Sequence, residues 1–313
     1  MTVRGPVDVE SLGFGLPHEH LRIDLITVFP AAMLAFDYHH VDEDLITSEA
    51  RLFVDAVRAG GWSGAPWIVD VTTDRRMGRD PAYLRRVSEA LDLPIVMGCG
   101  RYREPWYEPE FAERPTHVLA DLLTAEIEQG VGETGIRPGI IGELGADRDF
   151  VSPAEERTLR AAAIAHARTG LPITLHARFG KVGLAQLDIL EAAGVRLERV
   201  IVGHTDTEPD VEYHQAIARR GAWVQYDTIR GRVPVVPERR VRYLLEARRR
   251  GYLDRVLLSH DVCGLSMLRA YGGTGYDFLP RDFMGALSGR GFSDEELRGL
   301  VIDQPRRAIQ PAV

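Results

Sequence analysis

Gly13-Phe14-Gly15-Leu16-Pro17-His18-Glu19-His20 is the stretch on which the reading of this chain turns. A short, glycine-rich, apolar run ends on two histidines one residue apart. In a β-strand alternate side chains share a face, so His18 and His20 point to the same side. Two imidazoles on one side of a strand end can hold one divalent ion. Alone, the pair fits a polar loop with two incidental histidines at least as well. It gains weight only if later strands bring more ligands to the same place.

Outward from this stretch, apolar β-rich segments recur, each followed by a helical pattern. Strands are expected at 12–16, 67–71, 94–98, 139–144, 172–176, 200–204, 222–227 and 256–261. Helices are expected at 48–59 with Thr47 and Ser48 as caps, and at 81–91 with Asp80 as cap and Pro81 at the first helical position. Others are expected at 116–129 with Thr116 as cap, and from Ser152-Pro153-Ala154-Glu155, a capping box. The series continues at 182–193, 211–220, a basic stretch around 239–250, and a last helix from Ser293. Eight strands alternating with helices over 313 residues is the count of a (β/α)8 barrel, a TIM barrel, in one domain spanning 1–313. The competitor is a doubly wound open sheet. That fold usually carries a glycine-rich nucleotide turn, and neither G-x-G-x-x-G nor a Walker pattern occurs.

Composition narrows the function classes. The chain is 45% hydrophobic and 27% charged, ordinary for a globular protein with a large core. A net charge of −8 without a dominant basic segment argues against nucleic acid as a partner, and the run from Arg239 to Arg250 reads as a solvated helix face. Two cysteines, Cys99 and Cys263, make neither a disulfide framework nor a cysteine-based zinc site. No cationic-then-apolar leader pattern opens the sequence, and no apolar run approaches the roughly 18 residues of a membrane span. The default expectation is a cytoplasmic protein without a membrane partner.

Ligand-type residues then accumulate at strand ends. His18 and His20 end the first strand, Glu143 the fourth, His176 the fifth, His204 the sixth and Asp261 the eighth. In a barrel these ends converge on one face, where active sites are built. Four imidazoles and two carboxylates suit zinc, manganese, cobalt or iron. They are too many for one tetrahedral zinc, but two ions about 3.5–4 Å apart would use them all. His39, His40, His117, His166 and His214 fall in loops or helices, where surface roles are expected. His260, beside Asp261, should face the helices.

At this point the chain resembles the phosphotriesterase family of the amidohydrolase superfamily. The resemblance is carried by Leu16-Pro17-His18-Glu19-His20-Leu21, Ile68-Val69-Asp70-Val71-Thr72, Gly135-Ile136-Arg137-Pro138-Gly139-Ile140-Ile141-Gly142-Glu143, Thr174-Leu175-His176, Val202-Gly203-His204-Thr205-Asp206, Leu258-Ser259-His260-Asp261 and Tyr271-Gly272-Gly273-Thr274-Gly275-Tyr276, in family order. It implies a distorted barrel with a binuclear centre. His18, His20 and Asp261 would hold the more buried ion, His176 and His204 the more exposed one, and the residue on the fourth strand would bridge both. Better-known members carry a carboxylated lysine there. Glu143 stands in its place and supplies a carboxylate unmodified, as in a glutamate-bridged subset of the family.

The resemblance implies a metal-dependent hydrolase in which a hydroxide between two zinc-type ions attacks a carbonyl or phosphoryl centre and Asp261 accepts its proton. A lactone or carboxylic ester is the first substrate expected. N-acyl amino acids and phosphotriesters are alternatives, as is a metal-containing binding protein without turnover. Expected substrate contacts are Arg178, Lys181 and Arg230, with Arg101, Arg103 and Arg232 also in strand-end loops, as clamps for a substrate anion. Tyr102, with Trp106 and Tyr107, reads as an apolar wall, as a hydrogen bond to a substrate carbonyl, or, slightly better, as loop packing, and 264–283 is expected as a pocket rim. Expected partners are a small molecule, anionic in this reading, and a second copy of the chain in a homodimer.

Overall fold

The structure is a computed structural model, described over residues 1–26, 37–230 and 237–311. Its first strand, β1 (Leu12–Glu19), is buried at every position. Seven more follow: β2 (Ala65–Asp70), β3 (Ile95–Cys99), β4 (Ile140–Gly145), β5 (Ile173–His176), β6 (Val200–Gly203), β7 (Trp223–Tyr226) and β8 (Val256–Leu258). All pair in parallel with their chain neighbours, in one sheet ordered as in the sequence. The two edges meet where Asp261 N–H donates to His18 O at 3.3 Å and His18 N–H donates to Ser259 Oγ at 3.1 Å. With helices between successive strands, this is a (β/α)8 barrel.

Strands covered on both sides read as apolar runs rather than as strict alternation. Leu12, Val69, Val96, Ile140, Ile201 and Leu257, with Trp67 and Trp223, form one cluster contributed by seven strands. Phe14, Leu16, Ile68, Met97, Ile141 and Leu144 belong instead to the larger cluster shared with the helices. Phe14, Leu16 and His18 have the same parity, so unbroken alternation would turn His18 towards the helices. Register shifts at Leu12/Gly15 and Leu16/Glu19 break the pattern, and His18 and His20 share a face away from Phe14 and Leu16.

Several local expectations change. The first long helix, α1 (Glu43–Ala59), starts five residues before 48 because Asp42 caps it through Leu45 N–H. Ser48 lies inside, its hydroxyl on Asp44 O at 2.8 Å. Thr116 does not cap 116–129: Pro115 holds the cap position with no side-chain bond. The Asp80 cap and the Ser152–Glu155 capping box are present. β7 and β8 stop before Asp227 and Asp261, and Asp261 has φ 53°.

His40 and His214 do not have surface roles, since both are buried. His40 lies in a two-stranded ribbon, Ile23–Asp24 against His39–His40, where a loop was expected. His214 sits between Tyr226 Oη at 3.0 Å and Glu208 O at 2.8 Å. His260 turns outward as expected, accepting from Leu279 N–H at 3.0 Å.

Candidate metal centre

The end of β1, β4, the end of β5 and the turns after β6 and β8 deliver the six ligand-type side chains to one buried cluster. Glu143 is its centre. Its Oε2 lies 3.5 Å from His18 Nε2 and 3.4 Å from His204 Nε2, and its Oε1 lies 3.6 Å from His20 Nε2. Asp261 Oδ1 is 3.8 Å from His18 Nε2 and 3.5 Å from His20 Nε2. His176 joins Glu143 and His204 in a group whose donor atoms lie within 4.8 Å of one another, and so do His18, His20 and Glu143.

The donors fit divalent metal. Among the described residues, His18 Nε2, Glu143 Oε2 and His176 Nδ1 are buried without a hydrogen-bond partner, although buried polar atoms are normally bonded. Each ring is anchored on its other nitrogen. His18 Nδ1 is 3.1 Å from Gln225 Oε1, and His20 Nδ1 is 2.8 Å from Thr72 Oγ1, whose hydroxyl donates to Arg22 O. His204 Nδ1 is 2.7 Å from Asp227 Oδ1, and His176 Nε2 is 2.8 Å from the Tyr102 hydroxyl. Outer bonds of this kind fix which nitrogen faces the ion. Gln225, Thr72 and Asp227 were not singled out from sequence. The signal was slight: Asp227 stands at a strand end, and Gln225 two residues earlier shares its face.

The electrostatics are those of a carboxylate centre among imidazoles. Burial raises the Glu143 pKa, but His18, His176 and His204 outweigh it and hold the group down to about 2. Burial likewise opposes ionisation of Asp261, and the Arg230 guanidinium, aided by His20, holds it well below the usual carboxylate range. His176 is pushed well below the usual imidazole value by burial and by His204. His204 is raised despite burial, chiefly by Asp227.

A cavity of ≈ 250 Å³ opens onto the cluster. Ile23, Leu25, Tyr38, Met77, Trp106 and Cys263 give it an apolar wall, and Tyr102, Arg103 and Arg178 line it too. Arg178 is exposed, and its guanidinium has no ion pair among the described residues. The other expected clamps are differently engaged. Lys181 does not line the cavity and bonds Asp210 Oδ2 at 2.5 Å. Arg230 donates to the carbonyls of His260 and Asp261 and sits 3.3 Å from Asp261 Oδ2, so its charge is turned towards Asp261. Arg101 pairs with Glu108, and Arg103 pairs with Asp147 while stacking on Tyr102 at 4.6 Å. Tyr107 packs on Phe111, outside the cavity. Arg232 lies outside the described residues. Among the cavity's described lining, Cys263 is contributed just before 264–283 and nothing by that loop. The loop instead supports the centre from outside, with the Tyr276 hydroxyl on His20 O at 2.8 Å.

The family model described as "Phosphotriesterase family" matches residues 1–309. The chain belongs to the phosphotriesterase family. Members of this family are binuclear metal hydrolases. A phosphotriesterase homology protein from Escherichia coli, solved with phosphate in its active site, superposes with a TM-score of 0.86 at 33% identity, covering 95% of this chain and 99% of that one. A mutant of a phosphotriesterase-like lactonase from Deinococcus radiodurans superposes with a TM-score of 0.83 at 28% identity, covering 99% of each chain. An N-acetyltaurine hydrolase from Dictyostelium discoideum is 27% identical over 303 residues, 93% of this chain and 81% of the relative. Among the described residues no helix is long and apolar enough to cross a membrane.

Proposed function

We propose that this family member cleaves a lactone or a carboxylic ester, with an anionic group on the substrate held by Arg178. The observation that carries the reading is the buried six-residue cluster at the base of an apolar cavity that is also lined by Arg178, whose guanidinium has no ion pair among the described residues. In this reading His18, His20 and Asp261 hold the more buried ion, His176 and His204 the more exposed one, and Glu143 reaches both. Zinc is the proposed ion, and manganese, cobalt or iron suits the same donors. Bound there, such ions polarise a carbonyl or phosphoryl oxygen and lower the pKa of a water.

The chain's own groups do the rest. Asp261, ionised and facing the cavity, is the proton acceptor. The apolar wall takes the body of the substrate and limits water. The Tyr102 phenol, its pKa pushed well up by burial, stays protonated beside His176 and completes the wall.

The Deinococcus lactonase supports the ester reading. An amide of an anionic amine is the second reading, supported by Arg178 and by the N-acetyltaurine hydrolase relative. Phosphotriester cleavage would be a side activity. The test is a panel of lactones, aryl esters, N-acyl amino acids and a neutral phosphotriester, assayed on metal-replete enzyme with and without Arg178→Ala. Loss of Arg178 should raise KM for anionic substrates by about tenfold, roughly 1.4 kcal/mol, and leave neutral ones nearly unchanged. Equal effects on both kinds would remove Arg178 from substrate binding. No turnover of any substrate by metal-loaded protein would favour a metal-containing binding protein.

A further inference from the structure

Asp227 is buried and is not part of the cavity lining. It follows the last residue of β7, and its carboxylate meets two ligand histidines from their outer side. Oδ1 is 2.7 Å from His204 Nδ1, and Oδ2 accepts from the His204 backbone N–H at 2.9 Å. The same Oδ2 is 3.3 Å from His18 Nδ1. Glu143 meets both rings on the opposite nitrogen, Nε2. The two imidazoles are therefore held between two carboxylates, one inside the centre and one behind it.

His18, His204 and Asp227 lie close enough to hold an ion among themselves. The surrounding bonds argue otherwise. The neutral imidazole that binds a metal has one N–H, and in that form the carboxylate 2.7 Å from His204 Nδ1 takes it there, leaving Nε2 to an ion on the Glu143 side. At His18 two acceptors, Gln225 Oε1 and Asp227 Oδ2, face Nδ1, and Nε2 has no hydrogen bond among the described residues. An ion on the Nδ1 side would displace these bonds and protonate the nitrogens that face Glu143.

We propose that Asp227 is a positioning residue that couples the two ion sites, because one carboxylate orients His18 of the more buried site and His204 of the more exposed site. This rests on the two-ion reading above. Gln225 touches only His18 among the ligands, and Thr72 touches only His20. Asp227 faces a ligand of each site. Its loss should weaken both sites, and the loss of Gln225 should weaken one.

The experiment titrates zinc alone into metal-free full-length protein, as wild type, Asp227→Asn and Gln225→Leu, against a competing chelator. Asp227→Asn should lose about ten- to a hundredfold in affinity in both binding steps, and Gln225→Leu in one. Wild-type affinity in Asp227→Asn, or a loss confined to one step, overturns the coupling. Absence of binding by the wild type would instead overturn the two-ion reading, so the two failures are distinguishable. If Asp227→Asn does not fold, nitrogen NMR of the histidine rings in the zinc-loaded wild type decides. Both His18 and His204 should carry the proton on Nδ1, and an Nε2–H form of either ring overturns the proposal.

Discussion

Glu143 and Asp261 are both buried carboxylates in one cluster, yet their neighbours separate their roles. Glu143 faces three imidazoles and in the proposed reading reaches both ions, which would make its charge necessary for metal retention. Glu143→Gln keeps the shape, removes the charge, and should lose metal first from the site of His176 and His204. Asp261→Asn keeps an oxygen for ligation but cannot accept a proton. It should keep much of its metal and lose about 10²–10⁴ in kcat. Bound metal and kcat measured on both variants check the assignment, and a fully loaded, active Glu143→Gln would remove Glu143 from the centre. His40 gives a pH prediction. Burial pushes its pKa down to about 3, and the charge of the nearby His20 ring adds to the fall. The folded form stays neutral while the unfolded chain binds a proton below about pH 6.5, so stability is lost as pH falls from there towards 3. His40→Leu removes this term. The stability of the wild type relative to the variant should fall by about 2 kcal/mol between about pH 8 and about pH 5 in denaturant titrations. An unchanged difference would show that His40 is protonated in the folded chain.

At the scale of elements, the strand ends hold the centre only if the strands approach closely. Gly142 precedes Glu143 at φ 120°, and a Cβ there would lie 2.1 Å from Thr174 O on β5. Gly142→Ala must therefore part β4 from β5. We expect a loss of about 3 kcal/mol or more, with a lower metal content, in thermal unfolding and metal analysis. Glu155 ties loops beside the cavity together. Its carboxylate accepts from the backbone N–H groups of Glu104, Asp147 and Ser152, and Asp147 in turn pairs with Arg103. Glu155→Ala should cost about 2–3 kcal/mol, read by denaturant unfolding, because three donors lose a buried charged acceptor. Of the element-level signals, the Ser152–Glu155 box was legible because both halves of it are local in sequence. The start of α1 was not, because Thr47-Ser48 has the residue types of a cap, and only the ribbon before α1 shows that the chain turns into the helix at Asp42.

At the scale of the molecule, the barrel was legible from the eightfold alternation, and with it the convergence of His18, His20, Glu143, His176, His204 and Asp261 on one face. What sequence could not supply was long-range partnership. Lys181 and Arg230 read as free cations until Asp210 and Asp261 are seen beside them. Asp227, at the end of the seventh expected strand, has no visible role until two rings from other strands close on it. His214 read as a surface helix residue until Tyr226 and Glu208 enclose it. The central claim is that this convergence holds two divalent ions. Elemental analysis of purified, metal-replete protein tests it most directly, beside His18→Ala and His204→Ala. We expect close to two ions per chain in the wild type and fewer in each variant, and no more than trace metal in the wild type would contradict the account.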